Sequence, residues 1–506
     1  MKYAGASVGT ATRTLALLCA VVSQQGCAVG PDYRRPHVDS PAAWTQGSDS
    51  ALQLPSSASA QPAAQPAQDW WIGFGDDQLA ALVARAVEAT PKARQAAARV
   101  REARALRALA AGGLWPKLDT TASYSNSRIS ENGFLQGLGT GSNVGGDTPP
   151  GAVFPGQALD LFQTGFDAQW EIDLFGHVRR SVEAASAELA AAEAGYNDAM
   201  VSLAAETARE VIGLRTLDAR IAIAVRNIAA QSDTLGVIRQ RYAAGVSSEL
   251  DVARAEAHLS ATEAEVPTLR SRRSGALRRL EVLVAADTGS LDQQLSAAHG
   301  VPTAPRFIDA GLPSQLLLRR PDVARAEREL AAATARIGVA RAELLPRFSL
   351  SGSFGFQSQQ TGNLFSSGSR FWLIGPGMRW PIFDAGRLLA NVEVQNARTE
   401  QAAAHYEDTV RRALADVETV LSALAGEQIR ERALTRAAEA ESRGTQLARE
   451  LFAGGVVEFL QVLDAERALY RAEDELASSR GAAAEDAVAL YKALAGGWPA
   501  PDTSSP

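Results

Sequence analysis

The sequence predicts an α+β membrane protein that is internally duplicated, each half supplying two β-strands continued into a long antiparallel α-helical hairpin. Three observations predict it. The stretch RYAAGVSSELDVARAE, Arg241 to Glu256, returns at an offset of 210 as LFAGGVVEFLQVLDAE, Leu451 to Glu466, so one turn-then-helix phrase is stated twice in register. Segments that alternate apolar and polar residues stand ahead of each phrase, which is the period of a strand with one apolar face. Those segments then give way to Ala-rich runs of heptad spacing, the pattern of closely packed helices.

The duplication governs the chain. GLWPKLDTTASYS, Gly113 to Ser125, matches LLPRFSLSGSF, Leu344 to Phe354, at an offset of 230; WEIDLFGHV, Trp170 to Val178, matches WPIFDAGRL, Trp380 to Leu388, at 210. The first copy therefore carries about 20 extra residues, in a Gly/Asn/Pro-rich stretch typical of a long loop. The expected organisation is a signal peptide at 1–26, an N-terminal tether at 27–76, a first repeat at 77–285, a connection at 286–311, a second repeat at 312–494 and a flexible tail at 495–506.

At the N-terminus, Lys2 and Arg13 precede LALLCAVV, a run too short to span a bilayer but suited to an export signal. Cys19 would leave with that signal. Cys27 follows Gly26 and would become a lipidated mature N-terminus, although Gln24 stands where a lipobox offers Leu; ordinary cleavage nearby is the alternative. With one cysteine left in the mature chain, a disulfide framework is excluded. The tether, rich in Ser, Ala, Pro and Gln, has little to bury and reads as extended or disordered.

Thr90 and Pro91 open the first helix of the repeat as N-cap and first helical residue, and it runs to about Ala111. Alternation follows. Leu118, Thr120, Ala122 and Tyr124 share one side, then Phe162, Thr164, Phe166, Ala168, Trp170, Ile172 and Leu174. The second copy offers Phe348, Leu350, Phe354 and Phe356, then Trp372, Ile374, Met378, Trp380 and Ile382, with Pro376 interrupting the last strand unless a bulge accommodates it. From Gly176 the period changes: Val178, Val182, Ala185, Leu189, Ala192, Tyr196, Ala199 and Leu203 form a heptad seam. Gly176 to Tyr242 predicts one helix of 67 residues, ~100 Å long. A return helix follows from Ser247 to about Ala285. The second copy predicts helices over 386–452, 456–494 and 321–344. The repeated phrase is then the far turn of a hairpin. Four strands cannot close a barrel, and lipid does not tolerate a bare sheet edge, so if these strands face lipid several chains must complete the cylinder; a soluble sandwich or stalk protein with the same alternation is the alternative.

Net charge is −7 and gives no basic footprint for nucleic acid. The five histidines, at 37, 177, 258, 299 and 405, show no ligand spacing, and no phosphate loop or nucleophile elbow occurs. No enzyme, cofactor or metal site is expected.

The residues CAVGPDYRRP (Cys27 to Pro36), WEIDLFG, LLPRFSLSGSFG, GPGMRWPIFDAGRL and VVEFLQVLDAER together resemble the TolC-type outer-membrane efflux channels, lipoprotein branch. The likeness covers nearly the whole mature chain. It implies a homotrimer whose strands form a 12-stranded barrel, with the helices forming a periplasmic tube, and an inner-membrane pump, a periplasmic adaptor and outer-membrane lipid as partners. It implies a periplasmic gate at Leu460, Asp464 and Arg467, and adaptor docking at the turns of Gly245, Val246, Gly455 and Val456. Three copies of Asp464 near an axis would favour bound cations; Arg467 could pair with it at i,i+3 or with a neighbouring chain; a Leu460 ring could gate by dewetting. Asp251 matches an acidic residue that braces the closed tip in some members, but its partners there fall at Phe452 and Val457, which cannot form those bonds. A protein-secretion duct and a lipid-anchored coiled-coil spacer are the alternatives; a spacer has no use for four alternating strands.

Overall fold

A computed structural model describes residues 28–39, 41–45, 69–128, 130, 158–296, 300–305, 308 and 313–495. The expected signal peptide, Cys27, about half of the tether, nearly all of the long loop of the first repeat and nearly all of the tail lie outside the described residues. The chain divides into two compact units. One comprises Met1–Arg34, Arg104–Ala187 and Ala331–Gln401; the other comprises Arg35–Ala103, Glu188–Leu330 and Ala402–Pro506.

The first unit holds an antiparallel four-stranded sheet in the order β1 (Lys117–Arg128), β2 (Ala158–Ile172), β3 (Arg347–Ser358), β4 (Arg370–Arg379). Register explains its two faces, because residues opposite one another share a side. Thr120, Phe166, Phe354 and Trp372 form one row, and Ile172, Phe348 and Met378 another. That apolar face is bare: Trp372 is 74% exposed and Ile374 64%. On the other face Asp119 lies opposite Asp167, and Thr121 Oγ1 donates to Asp167 Oδ2 at 2.9 Å. Pro376 needs no bulge. On β4, an edge strand among the described residues, it sits in register opposite Leu350 of β3, a position that tolerates proline. The strand ends at Arg379, before Trp380 and Ile382. Trp380 Nε1 instead donates to Leu344 O at 3.1 Å, as Trp170 Nε1 does to Leu114 O at 3.0 Å.

The helices, in order, are α1 (Asp77–Ala89), α2 (Pro91–Gly112), α3 (His177–Ala243), α4 (Glu249–Leu283), α5 (Ser290–Gln294), α6 (Pro313–Arg319), α7 (Pro321–Ala342), α8 (Arg387–Ala453) and α9 (Phe459–Ala493). Lengths recur: α3 and α8 have 67 residues, α4 and α9 35, α2 and α7 22. Thr90 caps α2, its Oγ1 accepting from Ala93 N at 3.2 Å. Pro267 lies inside α4 without ending it.

In the second unit the heptad seam of α3 widens. Met200, Leu203, Ala204, Ala208, Val211, Ile212 and Leu214 are all buried, so this stretch is covered on more than one side. The core there has an unforeseen contributor. Trp70, Trp71 and Phe74, counted with the tether from composition, form a short 3-10 turn whose rings are buried, with Trp70 stacked on Tyr491 at 5.0 Å. Three large aromatics supply the burial that the surrounding Ser, Ala and Gln cannot. Asp76 then caps α1, its Oδ1 accepting from Gln78 N at 2.8 Å and Leu79 N at 3.0 Å, and pairs with the fully buried Arg215. The tether's other end also packs in part: Trp44 is buried and Thr45 N donates to Glu418 Oε1 at 2.7 Å.

Candidate functional site

The two hairpin turns are built alike, and both lie in the second unit. At the end of α3, Gly245 has φ 73°; Val246 N donates to Arg241 O at 2.8 Å and Gly245 N to Tyr242 O at 2.9 Å. At the end of α8, Gly455 has φ 71°; Val456 N donates to Leu451 O at 2.9 Å and Gly455 N to Phe452 O at 3.0 Å. Each pair of bonds is a Schellman closure, and the left-handed backbone is why glycine stands at both corners. Val246 is 66% exposed and Val456 71%, so both turns present a bare apolar tip.

The helices that leave these turns start differently. Ser248 caps α4 through a reciprocal box: Asp251 N donates to Ser248 Oγ at 3.2 Å, while Asp251 Oδ2 accepts from Ser248 N at 3.1 Å and Ser248 Oγ at 2.7 Å. Burial alone would raise the Asp251 carboxyl, but the bonds from Ser248 and Ser247 and the charge of Arg254 outweigh it and hold it below the usual range. Asp251 is thus engaged within its own turn. At the start of α9 the equivalents are Glu458 and Gln461, and no side chain caps the helix.

Phe452 and Val457, the positions facing the expected brace, take part in other contacts. Phe452 and Phe459 pack at 5.9 Å in an apolar cluster with Leu235, Ile238, Ala255, Val462 and Leu463, and Val457 packs against that cluster. Arg241 lies over the Phe452 ring at 4.5 Å and donates from Nη1 to Phe452 O at 2.9 Å. This cation–π contact and charged hydrogen bond tie the first hairpin to the second, a link the sequence reading missed.

With Phe459, Val462, Leu463 and Glu466 buried, the spacing of α9 turns Leu460, Asp464 and Arg467 outward as one exposed stripe. Leu460 is 41% exposed. Asp464 and Arg467 form no ion pair with each other among the described residues, so the i,i+3 pairing is not made. Beneath the stripe, Glu466 accepts from Arg449 and Thr234, and the buried His258 on α4 feels the charges of both Arg467 and Glu466. The recurrence of Arg239 with Glu256 and Arg449 with Glu466, each pair 17 residues apart in sequence, is the signal that would have found Glu466.

Among the described residues no group of three His, Cys, Asp or Glu could hold a metal, and no helix is long and apolar enough to cross a membrane. A sheet with one bare apolar face and helices paired in length are the features of an outer-membrane channel protein. The chain belongs to the outer membrane efflux protein family, whose model matches residues 82–286 and 312–496. It is 31% identical over 482 residues to nodulation protein T of Rhizobium leguminosarum bv. viciae, covering 95% of this chain and 92% of the relative. It is 30% identical to outer membrane protein OprJ of Pseudomonas aeruginosa, covering 93% of each. Its fold matches the outer-membrane channel OprN with a TM-score of 0.83 at 34% identity, over 93% of this chain and 100% of that one.

Proposed function

We propose that the protein is the exit duct of a tripartite efflux system: a homotrimer, anchored in the outer-membrane lipid through Cys27, that conducts small molecules passively from an inner-membrane pump and a periplasmic adaptor. The observation that carries this is the sheet. Its apolar face is uncovered, and among the described residues β1 and β4 each have one neighbour, which leaves two edges for further copies to pair. The helices support the same reading. In the second repeat α7 buries Val323, Ala326, Leu330 and Ala335, whereas its equivalent α2 buries only Ala93 and Ala96, leaving a face that a second copy would cover. Three four-stranded contributions make a 12-stranded barrel.

Within such a trimer Leu460, Asp464 and Arg467 form the periplasmic gate, and the exposed Val246 and Val456 with Gly245 and Gly455 form the adaptor-docking turns. Asp251 contributes by fixing the start of α4 rather than by reaching the second hairpin. The duct carries out no catalysis and selects no cargo; pump and adaptor do. Single-channel recording in a planar bilayer tests this. The wild type should show a small conductance that rises in Asp464→Ala with Arg467→Ala. An open wild type unaffected by the double substitution removes the gate, and a folded protein with no conductance removes the duct.

A further inference from the structure

The two hairpins carry the same arginine–glutamate pair in different surroundings. Arg239 on α3 meets Glu256 on α4 at 2.7 Å, and Arg449 on α8 meets Glu466 on α9 at 2.8 Å. Each pair joins the two helices of one hairpin behind its turn. The Glu256 side chain is 48% exposed and that of Glu466 3%. Water solvates both partners of the first pair, which therefore contributes little. A buried carboxylate requires partners of its own, and Glu466 has them. Its Oε1 accepts from Arg449 Nε at 3.0 Å, from Arg449 Nη2 at 2.8 Å and from Thr234 Oγ1 at 2.9 Å. Thr234 belongs to α3, in the other hairpin, so one oxygen ties α9 to its own partner helix and to its neighbour. Thr445 Oγ1, donating to Ala465 O at 3.0 Å, fastens the same turn of α9.

We propose that Glu466 is the positioning residue of the gate, a buried latch that holds the Leu460, Asp464 and Arg467 stripe in its closed setting through Arg449 and Thr234. The proposal rests on the gate reading above. Any movement of α9 away from α3 breaks the Thr234 bond and brings water to the carboxylate, so closure and the latch are coupled. Glu256 cannot act in this way, because its pair stays within one hairpin and is already wet.

The test uses the full-length protein in planar bilayers. Glu466→Gln keeps the shape and removes the charge; open probability should rise roughly tenfold, the worth of one charged hydrogen bond. Thr234→Val, nearly isosteric, removes the bond between hairpins together with the hydroxyl's contact to Ala230 O in its own helix at 3.0 Å, and should give a smaller rise of the same sign, which guards against misfolding of the first variant. Glu256→Gln should leave gating as it was. Equal responses at 256 and 466, or no response at 466 and 234 in a protein that Asp464→Ala with Arg467→Ala does open, overturn the latch and leave the gate standing. If that double substitution changes nothing, the gate reading itself falls and the latch with it.

Discussion

The first and second hairpins share a turn closure yet are held by different means. In the first, the α4 start is locked by short-range bonds among Ser247, Ser248 and Asp251, and its Arg239–Glu256 pair lies at the surface. In the second, the α9 start has no cap, but Phe459, Val462, Leu463 and Glu466 are buried against α3, α4 and α8. The start of α4 is fixed by bonds of its own; the start of α9 is fixed by packing against its neighbours. A helix of the second kind changes state when its neighbours do, which is what the proposed gate requires.

Four experiments break or sharpen this contrast. The largest effect belongs to the buried pair. Glu466→Ala should cost about 3 kcal/mol by removing the charged hydrogen bonds from Arg449 and Thr234 and leaving a cavity, whereas Glu256→Ala should stay within about 0.5 kcal/mol; thermal unfolding in detergent compares them. Next is the close approach at Gly481 of α9, where an added Cβ would meet Thr216 Oγ1 of α3 at 2.2 Å. Gly481→Ala should cost about 2 kcal/mol, and Ala at the equivalent exposed Ser271 of α4 almost nothing; equal losses would show that α3 yields there.

Caps come third. Ser248→Ala should lose about 1 kcal/mol, and Glu458→Ser with Gln461→Asp should transplant the box into α9 and regain several tenths. Amide exchange at the first turn of each helix reads both changes, and slower exchange in α9 is the expected sign. The smallest effect is acid sensitivity. Burial first, then the charge of Arg467, hold the His258 imidazole below its usual range, while Glu466 opposes them. A loosened tip restores the ordinary value of about 6.5. The packed state is therefore favoured fully above that pH and loses stability as pH falls below it toward the depressed value. His258→Ala, which reproduces Ala468 of the second hairpin, should flatten that part of the pH profile of gating.

Much of the fold was legible because it is written locally. Pro91 and Pro321 start equal helices, Gly245 and Gly455 end equal hairpins, and period-two runs mark the strands that form. Leu460, Asp464 and Arg467 came from the family likeness, and helical spacing agrees with it by placing the three on one face. The capping role of Asp251 was readable in principle from Ser248 three residues earlier, but the family likeness drew attention to a longer-range partner.

The sequence by itself determined the repeated phrases, the extent of the long helices α3 and α8 and of α2 and α7 to within a few residues, the alternation of the strands and the two corners, because periodicity and chain-breaking residues act over a few positions. The short helices α1, α5 and α6 were not foreseen. Tertiary structure alone decided which member of each repeated pair is buried. Glu256 and Glu466 stand in matching phrases, as do Ser271 and Gly481, and Trp70 sits in a stretch of tether-like composition. Burial is a property of what packs against a residue, and the two repeats, alike in their own letters, meet different neighbours.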